Sequence, residues 1–122
     1  MTAAINLALR QQSLGVEFRV TQDDLKATPG GAQAGGWPLD AGVNRFTVVA
    51  SAGDSAMLPS ILSGQAVGHC VVINDSGTSL NVYPAVGENL NGVANAAAAV
   101  AGNAAAFFTL DRVNSNWKSA TL

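Results

Sequence analysis

The residues best suited to chemistry in this sequence are few and isolated. The chain contains one histidine, His69, and one cysteine, Cys70, inside the run Gly-His-Cys-Val-Val-Ile. A metal site built on this histidine would need carboxylate or thiolate ligands at short spacing, but the sequence has no HxH, HxxE or CxxC pattern. His69 alternates with Val71 and Ile73 on one face of a predicted strand, which favours structural roles for the histidine and the cysteine.

The carboxylates give no stronger indication of catalysis. Asp23 and Asp24 form the only adjacent acidic pair. Glu88 and Asp111 would act as acid and base only if the fold placed them about 5 to 9.5 Å apart. Ser63 lies in an ordinary Ser-Gly-Gln turn rather than in a nucleophile elbow. We therefore predict a protein that is not an enzyme, with no catalytic, cofactor-binding or metal-binding residues and no cofactor.

Three aromatic residues leave two alternatives open. Trp37, Tyr83 and Trp117 could stack on sugar rings in a glycan-binding module, or they could pack in a core or an interface. The second alternative is favoured for Tyr83 and Trp117, because both lie in predicted strands, where aromatic residues are common. Trp37 lies in a loop between Gly36 and Pro38, so we expect it to anchor the chain against a neighbouring subunit.

The composition of the sequence, and with it the predicted secondary structure, changes near residue 43. We predict an N-terminal arm and loop over residues 1–42, with a possible short helix at Ala3–Gln12 and an alternating strand at Gly15–Val20. Glycine and proline are frequent over residues 27–42, which is typical of a surface loop or of an arm that a partner orders. The predicted protein-interface residues are Phe18, Trp37, Pro38 and Leu39.

Residues 43–122 are predicted to form one all-β domain of sandwich or jelly-roll type. Short apolar runs recur at about ten-residue spacing with turn residues between them, which is typical of such folds. Asp75–Thr78 should close a hairpin with Gly77 at a positive φ angle, and Asn91-Gly92 and Val113–Asn116 are further predicted turns. The alanine tract 96–101 could form a helix or a strand, and its short length favours the strand.

Composition excludes several classes of protein. Only 11% of the 122 residues are charged and the net charge is −2, so a nucleic-acid-binding face rich in lysine and arginine is not expected. The N-terminus lacks the basic and apolar regions of a secretory signal, and the most apolar run is interrupted and too short to cross a membrane. Weak charge and many small residues suit a subunit packed against neighbours.

The segment from Met57 to Trp117 contains Met-Leu-Pro-Ser-Ile, Val-Ile-Asn-Asp-Ser-Gly, Leu-Asn-Val-Tyr-Pro and Leu-Asn-Gly, followed by an alanine-rich strand and Phe107-Phe108. With these motifs the segment resembles small virion proteins of tailed bacteriophages. It covers about half of the chain. Similar β-modules occur in capsid decoration (cement) proteins and in tail-fibre-associated proteins.

This resemblance implies a structural role in the virion. The expected protein is a capsid decoration subunit that binds the major capsid protein across capsomer junctions and stabilises the head. It would be made in the host cytoplasm, lie on the capsid surface and form a homo-oligomer, with a trimer favoured. The alternative is a host-recognition or glycan-binding module of a tail fibre or spike.

Overall fold

Every regular element that the structure describes is a β-strand. The computed structural model describes residues 19–66 and 68–122, and no helix occurs within them. The eleven strands are β1 (Val20–Lys26), β2 (Trp37–Pro38), β3 (Gly42–Val48), β4 (Ser55–Met57), β5 (His69–Asn74), β6 (Leu80–Tyr83), β7 (Asn89–Leu90), β8 (Val93–Ala94), β9 (Ala98–Val100), β10 (Ala104–Asp111) and β11 (Asn116–Thr121). The predicted all-β class is confirmed.

The first six strands alternate between two sheets and stack in parallel. The seven-stranded sheet has the order β1-β3-β5-β10-β11-β7-β8, and the four-stranded sheet has the order β2-β4-β6-β9. Strands β1, β3 and β5 pair in parallel, and so do β2, β4 and β6. The chain thus winds through three coils, each with one strand in each sheet, which is the arrangement of a β-solenoid.

The predicted jelly-roll sandwich is therefore not the arrangement found. Jelly rolls are built from antiparallel strands with Greek-key connections. A parallel pair instead needs a long crossover connection, and here the short strand of the opposite sheet lies within each crossover. Antiparallel pairing occurs only in the second half of the chain among the described strands, where β9 pairs with β6 and β10 pairs with both β5 and β11.

The hairpin predicted at Asp75–Thr78 is wrong, because β5 and β6 belong to different sheets. The segment is a corner held by side chains: Asn74 Oδ1 accepts hydrogen bonds from Ser76 N and Oγ, and Asn74 Nδ2 donates to Thr78 O at 2.8 Å. Gly77 is not among the residues with positive φ. The hydrogen bonds of the Asn74 side chain thus hold the corner, and no residue from 75 to 78 has a positive φ angle.

The other predicted turns are confirmed. Asn91 and Gly92 have φ angles of 53° and 81°, as a two-residue type I′ turn requires, and they join the antiparallel strands β7 and β8. Residues 112–115 join β10 to β11. The alanine tract contributes strand β9 rather than a helix, because pairing with β6 stabilises the strand and a helix this short is marginal in water.

Residues 20–42 form the first coil instead of an arm separate from the β-structure. Leu25, Ala27 and Leu39 are buried in the core between the sheets. The Ala27 N–H donates to Val48 O at 3.0 Å, and the Leu39 N–H donates to Met57 O at 2.9 Å. The predicted division near residue 43 thus falls between two coils that pack on each other. The predicted elements over residues 1–18 lie outside the described residues.

Candidate interaction surface

The cysteine is enclosed by polar groups of the fold, and the histidine ring stacks on an aromatic side chain. The Cys70 thiol is fully buried, accepts a hydrogen bond from Asn44 Nδ2 at 3.4 Å and donates to Asp40 O at the same distance. Burial raises the pKa of this thiol to about 12, with a smaller contribution from the Asp40 carboxylate. The His69 ring stacks on Phe107 with the ring centroids 5.3 Å apart. A neutral, enclosed thiol is a poor nucleophile.

The carboxylates considered as an acid–base pair are each bound locally. Asp111 accepts a hydrogen bond from Asn114 Nδ2 at 2.9 Å, and this bond holds the pKa of Asp111 below its usual value. Glu88 is buried and accepts its hydrogen bonds from residues 60–62. Within residues 19–66 and 68–122, no group of three or more histidine, cysteine or acidic side chains could hold a metal ion.

The aromatic residues use their polar groups within the fold or are buried. Trp117 is 1% exposed and packs in the core. The Tyr83 hydroxyl donates to Gly31 O at 2.8 Å. Trp37 is half-buried against the core, and its Nε1 donates to Gln22 Oε1 at 2.9 Å. Trp37 and Tyr83 are thus partly covered by the residues to which they are hydrogen-bonded, and Trp117 has no ring face open for sugar stacking.

Two of the predicted interface residues, Pro38 and Leu39, lie at a cleft of about 360 Å³. The cleft forms where the connection between β2 and β3 passes the connection between β4 and β5. Most of its lining is apolar and includes Pro38, Leu39, Met57, Pro59 and Ala85, and the polar side chain of Gln65 also lines it. Trp37 is adjacent in sequence but is not among the lining residues, and Phe18 lies outside the described residues.

The turn beside this cleft is fixed by a buried carboxylate. Glu88 accepts hydrogen bonds from Ser60 Oγ at 2.6 Å, Ile61 N at 2.8 Å and Leu62 N at 3.2 Å. The end of the same connection is held by Arg112, whose Nη2 donates to Ala66 O at 2.7 Å. Charge-assisted hydrogen bonds of this kind are about twice as strong as neutral ones, so the turn is well ordered.

Two large apolar side chains project next to the cleft. Leu62 is 71% exposed and Val86 is 64% exposed. Leu62 follows the lining residue Ser60 by two positions, and Val86 directly follows the lining residue Ala85. We call Leu62, Val86 and the adjoining cleft the apolar corner.

Sequence reasoning missed Leu62, Val86 and the role of Glu88. Leu62 lies in the run Ser-Ile-Leu-Ser-Gly, where turn residues on both sides of a leucine indicate that it can be exposed. The contact between Glu88 and the turn gives no local signal, because 26 residues separate Leu62 from Glu88 along the chain.

A second cleft of about 430 Å³ lies at another corner of the coils. Its lining includes Pro29, Gly30, Ser51, Asp54 and Asn81. The buried Asp54 side chain accepts a hydrogen bond from Ser51 N at 3.1 Å, which fixes the turn at residues 51–54.

No family model, curated protein or solved structure matches the chain. The part of the chain that the structure describes contains no helix long and apolar enough to cross a membrane.

Proposed function

We propose that this protein is a capsid decoration (cement) subunit that binds the outer surface of a bacteriophage head and stabilises it. The observation that carries the proposal is the apolar corner, where hydrogen bonds to Glu88 fix the backbone of the turn that carries the exposed Leu62. A buried carboxylate that orders an exposed leucine lowers the entropy cost of binding. Such pre-ordering suits a protein whose role is to attach.

The distribution of charge supports the same role. No charged residue occurs between Glu88 and Asp111, a segment that includes β7, β8 and β9 and most of β10. Depletion of charge is typical of the buried centre of a protein–protein interface. At the two edge strands of this segment, β8 and β9, alanine side chains also let another backbone approach closely.

The attachment needs only modest affinity at each site. A decoration subunit occurs in many copies, and linked contacts convert weak individual binding into stable occupancy. We propose the major capsid protein as its partner and a homo-oligomer, with a trimer favoured, as the unit that spans capsomer junctions. In this role the protein is a non-enzymatic virion component on the capsid surface.

The second cleft favours a second candidate, a glycan-binding module of a tail fibre or spike. Asn81 and Ser51 provide amide and hydroxyl groups around a depression, and sugars are recognised by such hydrogen-bonding groups. The aromatic platforms expected of a sugar site are lacking, because Trp37 and Tyr83 do not line this cleft. The capsid role is therefore preferred.

Counting copies on separated particle parts tests the proposal. Heads and tails of the phage that encodes the chain are purified apart, and the protein is quantified by mass spectrometry against the major capsid protein. We expect hundreds of copies on heads and increased release of DNA on heating when heads lack the protein. A few copies confined to tails would support the glycan-binding candidate, and absence from both parts would overturn both.

A further inference from the structure

We propose that residues 1–18 of this chain pack across the outer face of the seven-stranded sheet and form a third layer of the fold. The outer face is the side of β3, β5 and β10 that points away from the four-stranded sheet. The proposed attachment to a capsid centres on the apolar corner, so this layer does not depend on it.

Alternate residues of β3, β5 and β10 point to opposite faces of the sheet. Those that point inward, such as Phe46 and Phe108, belong to the core between the two sheets. Those that point outward form a separate apolar cluster of four residues, Val43, Val71, Ile73 and Ala105. The strand register places the four on one face, because Val43 pairs with Val71 and Ile73 pairs with Ala105. We call them the outer cluster.

The outer cluster is buried although no described strand lies over it. Its four residues are 0 to 1% exposed, but all eleven described strands belong to the two sheets. The partly buried hydrophobic residues that pack against the cluster are Phe107 and Leu122. Phe107 lies in β10 itself and Leu122 directly follows β11, so both border the cluster within its own sheet. Exposure this low on a sheet face requires a further layer.

The missing layer covers only part of the outer face. Thr109 in β10 is in register with Lys118 in β11, and Phe107 is in register with Ala120, so Thr109, Lys118 and Ala120 also point outward. These three residues are exposed. The layer therefore lies over β3, β5 and the first half of β10, on the side of the sheet where β1 is the edge strand.

The layer belongs to the same chain. The exposures are those of a single chain, so no partner contributes to the burial of the outer cluster. Within that chain, residues 1–18 and residue 67 are the parts that lie outside the described ranges. The strands β3 and β10 are two strand spacings apart, or about 10 Å, which a single residue at position 67 cannot cover. Residues 1–18 remain as the source of the layer.

The point at which residues 1–18 join the described structure fits this placement. Val20, the first residue of β1, pairs with Val43, and Val43 pairs with Val71. The chain therefore enters the sheet in the same row as two residues of the outer cluster. The distance from β1 to β10 is three strand spacings, about 14 Å, whereas eighteen residues span about 27 Å as a helix and roughly 60 Å when extended.

The composition of residues 1–18 also suits an apolar face. Arg10 and Glu17 are the two charged residues of this segment. Its large apolar residues are Met1, Ile5, Leu7, Leu9, Leu14, Val16 and Phe18. Phe18, predicted from the sequence to contact a partner, would then contact the sheet of its own chain. The layer also explains why five of the six residues of β5 are buried, since strands covered on both faces are continuously apolar.

Nuclear Overhauser contacts in the full-length protein test the layer directly. The methyl groups of Val43, Val71 and Ile73 should show contacts to side chains of residues 1–18. A mixture of isotope-labelled and unlabelled chains separates contacts within a chain from contacts between chains, and we expect only the former. Contacts found only between chains would identify a second copy as the cover and overturn the placement. A complete lack of contacts to residues 1–18 would also overturn it.

A pair of valine variants tests the layer by stability and by dye binding. Val16→Asp should lower the midpoint of thermal unfolding by at least about 4 °C, because it introduces a charge into an apolar contact. It should also raise the binding of a dye specific for apolar surface at least threefold. Val113→Asp is the matched control, because Val113 is 92% exposed, and it should change neither quantity.

Equal effects of the two valine variants would contradict the layer, and if Val16→Asp does not fold, the contacts measured in the wild-type protein decide. Both measurements use the free protein rather than phage heads. A failure of the layer therefore leaves the role on the capsid untouched, and a protein absent from heads leaves the layer untouched.

Discussion

Individual buried polar residues hold the corners of this fold. Asn74 is fully buried, and its Nδ2 donates to Thr78 O at 2.8 Å and to Val100 O at 3.0 Å. Asn44, also fully buried, donates to Val71 O at 3.2 Å and to the Cys70 sulfur. Buried polar groups are costly without partners and specify geometry when they are satisfied. Asn74 therefore fixes the corner after β5, and Asn44, which also bonds the Asp40 backbone at 3.0 Å, fixes the turn before β3.

The Cys70 thiol should make the stability of the protein depend on pH at high pH. Its pKa is about 12 in the folded chain against an ordinary value of 9.0, so folding favours the protonated thiol. The stabilisation is fully present below pH 9 and is lost as the pH rises from 9 towards 12, by up to about 4 kcal/mol. Urea unfolding at several pH values measures this, with Cys70→Ala as the control in which the loss should be smaller.

The same burial should make Cys70 unreactive in the folded protein. A thiol reagent should label it only after a denaturant is added. Rapid labelling of the native protein, or equal pH dependence in the wild type and in Cys70→Ala, would contradict this account of the thiol.

At the scale of strands and turns, two glycines that face each other are expected to differ sharply in tolerance. A Cβ added to Gly102 would lie 2.5 Å from the carbonyl carbon of Gly77 and 2.6 Å from its oxygen, so backbone would have to move. A Cβ added to Gly77 would meet no heavy atom within 4 Å. Gly102→Ala should therefore lower the free energy of unfolding by about 1–3 kcal/mol, and Gly77→Ala should change it by less than about 0.5 kcal/mol.

Thermal and urea unfolding of the two alanine variants measure this difference. The sequence predicts a positive φ angle at Gly77, whereas in the structure it is Gly102 that has no room for a Cβ. The comparison of the two variants therefore distinguishes the predicted hairpin from the corner. A larger loss of stability in Gly77→Ala than in Gly102→Ala would favour the hairpin that the structure does not contain.

Strands and tight turns are predictable here because their signals are local. The run Cys-Val-Val-Ile lies in β5, where five of six residues are buried, and such continuous apolar runs are typical of strands covered on both faces. The pair Asn91-Gly92 determines its turn through the φ angles that both residues adopt. The corner at Asn74 was predicted wrongly because a turn sequence does not specify whether the next strand joins the same sheet.

Pairing between strands was the part of the fold that the sequence could not reveal. Strands β1, β3 and β5 begin at residues 20, 42 and 69, so the first coil takes 22 residues and the second takes 27. Unequal coils leave no fixed period in the sequence, and a fixed period is the usual sign of a solenoid. The apolar corner was missed as well, because the contact between Glu88 and residues 60–62 joins segments that are 26 to 28 residues apart in the sequence.

At the scale of the whole molecule, the first coil should be protected in the free protein. The amide hydrogens of Ala27 and Leu39 are bonded to Val48 O and Met57 O in the second coil. Hydrogen exchange on the isolated protein should show protection of both amides similar to that of β3, because their bonds open only when the coils separate. The exposed turn residue Gly30 serves as a fast-exchanging reference.

Fast exchange throughout residues 21–42 would contradict the coil and support the arm predicted from the sequence. Measuring the same amides on assembled particles separates the two cases further. An arm would gain protection on assembly, whereas a coil would be protected before it.

Strand β5 has one neighbour from earlier in the chain and one from later, β3 and β10. During synthesis, β3 emerges before β5, and β5 emerges before β10. Proteins dominated by contacts between distant residues fold on a scale of milliseconds to seconds. Each nascent intermediate therefore carries an unpaired apolar strand at its growing edge, and such edges invite association between chains. The free edge of β5 is covered only when the C-terminal hairpin of β10 and β11 has been made, so this hazard persists until synthesis is nearly complete.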